Sequence, residues 1–188
     1  MPSRVCAVLL LGLGAAGRAP GEVLERILAV VDGRPVLQSD VRLAEEVRGL
    51  DAERALEAVI DERLMFAEAS RVPQAAVTAE EEERALGRLF ERQPALRERA
   101  GEGDVRRLVR RQLAILKYVE FRFRPQVRVT AEEVEKAYAS EYGGKGDALP
   151  LTAVAGALEE KLAHAALDER VESWVHELRA AADVRYNR

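Results

Sequence analysis

Two histidines, one cysteine and a few dense carboxylate runs are all that this sequence offers for chemistry at a site. His164 and His176 stand on one stretch, and His176-Glu177 opens a zincin-like pattern. The residue four positions after that histidine is Ala180, so the i, i+4 pair that would hold zinc on one helical face is missing. Both histidines are read as helix-surface residues. No serine stands in a Gly-x-Ser-x-Gly elbow, and Gly143-Gly-Lys-Gly146 lacks the spacing of a phosphate-cradling loop. Glu80 to Glu83 could suggest a metal site, but contiguous helical residues point in different directions. The run suits instead the positive end of a helix macrodipole. The lone Cys6 excludes an internal disulfide scaffold and a multi-cysteine zinc site. No catalytic residue, cofactor or metal ligand is expected.

A surface is the better candidate. Between Asp104 and Arg128 lie eight basic residues and two acids, with Tyr118, Phe121 and Phe123 interleaved. Such patterning can bind single-stranded nucleic acid, but the near-neutral balance of 29 Lys+Arg against 33 Asp+Glu gives no global reason to expect that partner. The stretch is read as a solvated helix face offset by acidic helices elsewhere, with contact to an acidic polypeptide as the intermediate reading. Tyr118 and Phe121 fall off the main apolar stripe of their helix, and Met65 falls opposite the stripe of its own. A second packing layer accounts for them. Were they contiguous, Met65, Tyr118 and Phe121 would form an adaptable apolar patch for unfolded peptide segments.

The elements that must position these residues are mostly helical. Hydrophobic residues make up 48% of the 188, enough for a sizeable core, while aromatics are only 5%. Ile27 to Val31, Asp32-Gly33 and Arg34 to Leu37 predict a hairpin with a type I′ turn, its second arm short or at an edge because Pro35 cannot donate to a ladder. Ser39 or Asp40 is expected to cap a helix reaching about Arg48. A second helix is expected from Asp51 to near Arg71, with Leu56, Val59, Ile60, Leu64, Phe66 and Ala67 on one stripe. Capping boxes at Thr78–Glu81 and Thr130–Glu133 open two more helices, the first carrying Leu86, Leu89 and Phe90 on its apolar side. Between them, Asp104 is expected to cap a helix that buries Val105, Leu108, Val109, Leu113, Ile115, Leu116 and Val119 and ends at Pro125. Gln126 to Val129 reads as an extended link. The last helix, Thr152 to about Ala182, changes its apolar side near Asp168, so it bends or meets different neighbours along its length. Val184 to Tyr186 closes the chain as a short strand.

Residues 1–20 read as a secretory signal peptide: a short basic start, the twelve-residue apolar run Val5 to Ala16, then small residues. A spanning helix needs roughly 20 apolar residues, so this run is short for one, and an uncleaved membrane anchor is the alternative reading to a processed chain with no stable membrane insertion. Cleavage between Ala16 and Gly21 would also remove Cys6, leaving a thiol-free protein in an oxidising compartment.

The segments, in order, resemble a known family. Ile27-Leu-Ala-Val-Val-Asp-Gly-Arg-Pro-Val-Leu-Gln-Ser-Asp-Val41 resembles the opening of mature SurA-type periplasmic chaperones. Val59-Ile-Asp-Glu-Arg-Leu64, Thr78 to Glu83 and Arg110 to Glu133 follow as in that family. Glu172-Ser-Trp-Val-His-Glu-Leu-Arg179 and Asp183-Val-Arg-Tyr186 are similar to its closing helix and strand. The resemblance implies a mainly α chaperone core with an N-terminal β-hairpin, a short C-terminal strand beside it, and a long C-terminal helix packing back on the N-terminal helices. Residues 21–142 would form the hairpin and helical region, 143–150 a linker, and 151–188 the returning helix and strand of the same domain. Family members usually carry parvulin-type prolyl isomerase domains at that linker, on the order of ninety residues each. Only Tyr142 to Pro150 fills the place here, so no isomerase residues carry over. The resemblance implies an ATP-independent periplasmic holdase for unfolded exported or outer-membrane proteins, with no nucleic-acid partner. An isomerase-family member with residual activity, or an envelope adaptor for one dedicated partner, are the alternatives. A bare core could also swap its long last helix through the short linker to form a homodimer.

Overall fold

A computed structural model describes residues 25–143 and 149–187. The expected signal peptide and most of the expected linker lie outside the described residues. The elements run β1 (Ile27–Val31), β2 (Arg34–Leu37), α1 (Gln38–Arg48), α2 (Ala52–Ala69), α3 (Ala79–Arg92), α4 (Leu96–Arg99), α5 (Glu102–Arg122), α6 (Ala131–Tyr142), α7 (Leu151–Ala181) and β3 (Val184–Tyr186), with 3-10 turns at Pro73–Ala75 and Arg124–Gln126. The protein is mainly helical with a small antiparallel sheet, as the segment pattern implies.

The hairpin turn is left-handed at both central residues, Asp32 at φ 47° and Gly33 at φ 77°, as a type I′ turn requires. The sheet order is β2-β1-β3, so Pro35 sits on an edge strand. β3 pairs with β1 in the register Ala29↔Tyr186 and Val31↔Val184. The Asp32 amide donates to the Asp183 carbonyl at 3.0 Å, and the Asp183 amide donates to the Asp32 carboxylate at 2.9 Å. The two ends of the described chain are thereby clamped.

Four apolar clusters stack along the body. The first joins the inner sheet face (Ala29, Val31, Val36) to Val41, Ala44, Val59, Ile60 and Leu64 of α1 and α2. The second gathers Leu43, Leu86, Phe90, Leu96, Val105 and Leu108 from α1, α3, α4 and α5. The third forms where Val119 of α5 meets Leu167 and Trp174 of α7. In the fourth, Val134 of α6 meets Val154 and Leu158 of α7. α7 therefore serves different clusters along one continuous helix, which is why its apolar side changes. Its C-terminal turns lie on α2, where Arg179 pairs with Asp61 and, at 2.6 Å, with Glu57. Its N-terminal turns pair with α6, with the Tyr138 hydroxyl donating to the Leu149 carbonyl at 2.8 Å.

Some expectations need correction. α1 begins at Gln38 after Leu37, and Asp40 lies inside the first turn, where its carboxylate accepts from the Leu37 amide. α5 begins after Gly101 and not at Asp104, whose carboxylate pairs with Arg107. The Pro94–Gly103 interruption contains α4, held because Leu96 is buried in the second cluster. The link after Pro125 includes a 3-10 turn over Arg124–Gln126.

Candidate functional site

The two capping boxes form as their sequences dictate. In α3 the Thr78 hydroxyl accepts from the Glu81 amide at 3.2 Å, and the Glu81 carboxylate accepts from the Thr78 amide at 2.8 Å. The same carboxylate receives Lys117 Nζ of α5 at 2.9 Å. The Thr78 amide, followed by Lys117, holds the Glu81 pKa below the usual carboxylate value. One residue on, Glu82 accepts from Arg106 at 3.1 Å, and Arg106 also reaches Glu83 and Glu102, each at 3.0 Å. The acidic run that could have suggested a metal site is thus a docking strip for the basic helix α5. Among the described residues, no group of three or more His, Cys, Asp or Glu is placed to hold a metal ion.

With α3 fixed in this way, Leu86 and Phe90 point into the core, while Ala85 and Leu89 face Val109 and Leu113 of α5 across an open furrow. The furrow is an apolar groove of about 250 Å³, with Arg88, Arg92, Gln112 and Leu116 completing its lining. Small-molecule sites usually enclose roughly 300–1,000 Å³. This groove is smaller and open, which suits a side-chain anchor better than a cofactor. Leu116 was expected in the buried stripe but is 55% exposed. Apolar spacing along α5 gave no sign of this, because Leu116 shares the stripe of Leu113 and only the packing of α3 leaves it uncovered.

The three residues singled out from sequence do not make one patch. Tyr118 stacks on Trp174 with centroids 5.0 Å apart and planes at 25°, and Phe123 meets both rings. Met65 packs half-buried against the same cluster. Phe121 lies outside that cluster and is 49% exposed. Met65 and Tyr118 thus form a second packing layer between α2, α5 and α7, and Phe121 alone faces solvent. His164 and His176 are both exposed on α7, His164 lying 3.7 Å from Glu160.

The basic stretch divides in the same way. Arg106, Arg111 and Lys117 are spent on intramolecular carboxylates. Arg122, Arg124 and Arg128 are exposed. Missed entirely from sequence was Glu62, buried within α2 and held by Arg48 and Arg111. Flanked by Asp61 and Arg63, Glu62 carries no mark of burial in the sequence.

Among the described residues no helix is long and apolar enough to cross a membrane. No protein-family model matches the chain, and no curated protein matches it in sequence.

Proposed function

We propose that the protein is an ATP-independent holdase chaperone of the periplasm, binding unfolded exported or outer-membrane proteins. The observation that carries this reading is the open α3–α5 groove, whose apolar floor continues outward from the second core cluster to the exposed Leu116. Burying one leucine-sized anchor contributes about 1.5–3 kcal/mol. A single groove of this size therefore gives weak, reversible capture. Bound clients withdraw their apolar segments from solution by mass action, which slows aggregation without any energy source.

The order of segments that resembles SurA-type chaperones supports the same reading. So does the return of α7 onto α2 with β3 beside β1, the arrangement that the resemblance implies. The position where relatives of that type carry an isomerase domain falls between α6 and α7, so activity is assigned to surface and not to proline chemistry. The apolar exposure of Phe121 adds a second contact point, whereas Met65 and Tyr118 contribute by packing.

The test is dilution of a urea-denatured outer-membrane protein into buffer, followed by light scattering. Equimolar protein should delay aggregation of several unrelated clients. No delay with any client removes the holdase reading, and stable capture of one folded partner alone would favour the adaptor. A protease-coupled proline isomerisation assay should stay at the background rate; acceleration would restore the isomerase alternative.

A further inference from the structure

We infer that the α3–α5 groove selects polypeptide segments in which leucine-type anchors are flanked by carboxylates. The inference rests on the holdase reading and names the client chemistry it prefers. Two cations line the groove, Arg88 and Arg92, and no acidic residue does. They stand one turn apart on α3, so both guanidinium groups rise from the same edge. Among the described residues neither guanidinium makes an ion pair or a hydrogen bond, whereas the neighbouring Arg84 donates to the Glu80 carbonyl and Arg106 and Lys117 are paired. In a chain whose formal net charge is −4, two solvent-exposed arginines with no carboxylate partner beside an apolar floor are a local inversion of sign.

The chemistry follows from the side chains. Arginine stems lie along apolar surface while their heads stay in water, and a planar guanidinium binds carboxylate through two parallel hydrogen bonds. A segment that sinks a leucine onto Leu89, Val109 and Leu113 brings its neighbouring residues to the arginine edge. Glutamate there is attracted and lysine repelled. No aromatic side chain lines the groove, so stacked nucleotide bases find no platform.

The probes are fluorescein-labelled peptides of about twelve residues, followed by fluorescence anisotropy. One carries two leucines a helical turn apart with flanking glutamates, a second has lysine for each glutamate, and a third has serine for each leucine. The acidic leucine peptide should bind about tenfold more tightly than the lysine peptide, and the gap should shrink at high salt. Arg88→Glu with Arg92→Glu, both exposed positions, should invert the preference. Leu116→Gln should weaken both leucine peptides. Equal affinity for the two charge types, an uninverted preference in the double variant, or undiminished binding of the serine peptide would each overturn the inference. So would a wild-type dimer by light scattering that Leu116→Gln converts to a monomer, because a second copy would then occupy the groove. Aggregation suppression is measured in parallel. Suppression without charge preference leaves the holdase reading standing and this inference lost; charge-selective peptide binding without suppression does the reverse.

Discussion

Glu62 of α2 accepts a hydrogen bond from Arg111 Nε of α5 at 2.7 Å, although 49 residues separate them and Glu62 is only 2% exposed. Its other carboxylate oxygen takes the Arg48 guanidinium at the end of α1. Three helices are registered on one buried charge. Removing one member of such a group leaves an uncompensated charge in a poorly solvated place, whereas replacing the group by apolar residues of similar volume is often tolerated.

Glu62→Gln should therefore cost about 3–5 kcal/mol, read as a lowered urea midpoint. Glu62→Leu combined with Arg48→Met and Arg111→Met should recover most of that loss. A single variant as stable as the parent would show that the charge does not hold the helices together.

Tyr118 and Phe121 are three residues apart on α5 and should respond in opposite ways. Tyr118→Ala opens the stack on Trp174 and should cost about 2–4 kcal/mol. Phe121→Ala should change stability by no more than about 0.5 kcal/mol. Trp174 is the sole tryptophan, so its fluorescence should shift in the first variant and stay constant in the second. Equal destabilisation by both would place Phe121 in the core.

Gly33 occupies φ 77°, and a Cβ there would meet no atom within 4 Å. Its cost is purely conformational. Gly33→Ala should lose about 1–2 kcal/mol through the left-handed backbone alone, measured by thermal unfolding followed by circular dichroism. A stabilised variant would mean that the turn is not type I′ in solution.

The capping carboxylates give stability a definite acid dependence. The Glu81 and Glu133 carboxyls are both held below the ordinary glutamate value, first by the amides of Thr78 and Thr130 respectively. A group depressed in the folded state contributes stability that is complete above its unfolded value and is lost as pH falls through the folded one. Stability should then fall below about pH 4.5. Glu81→Gln with Glu133→Gln should show a shallower loss in the same window, by urea midpoints at successive pH values. An unchanged acid slope would show that these caps carry no differential proton binding.

Much of this architecture is local, and local architecture is legible. Asp32-Gly33 specifies its turn because few residue pairs accept left-handed φ at both positions. Thr78 and Thr130 specify helix starts because hydroxyl, amide and carboxylate come from four consecutive residues. Apolar spacing sufficed to place α2, α5 and α7, and the change of side in α7 already announced that it meets more than one neighbour. What the tertiary structure alone decided is which apolar and charged residues find a partner. Leu113 and Leu116 share a stripe in the sequence, but only the crossing of α3 over α5 leaves Leu116 at the groove's rim. Tyr118 and Met65 lie off their stripes, yet α7 arrives from the far end of the chain to cover them. Arg111 is buried on Glu62 while Arg88 and Arg92 are left free, because ion pairing depends on distances across helices that periodicity along one helix does not encode.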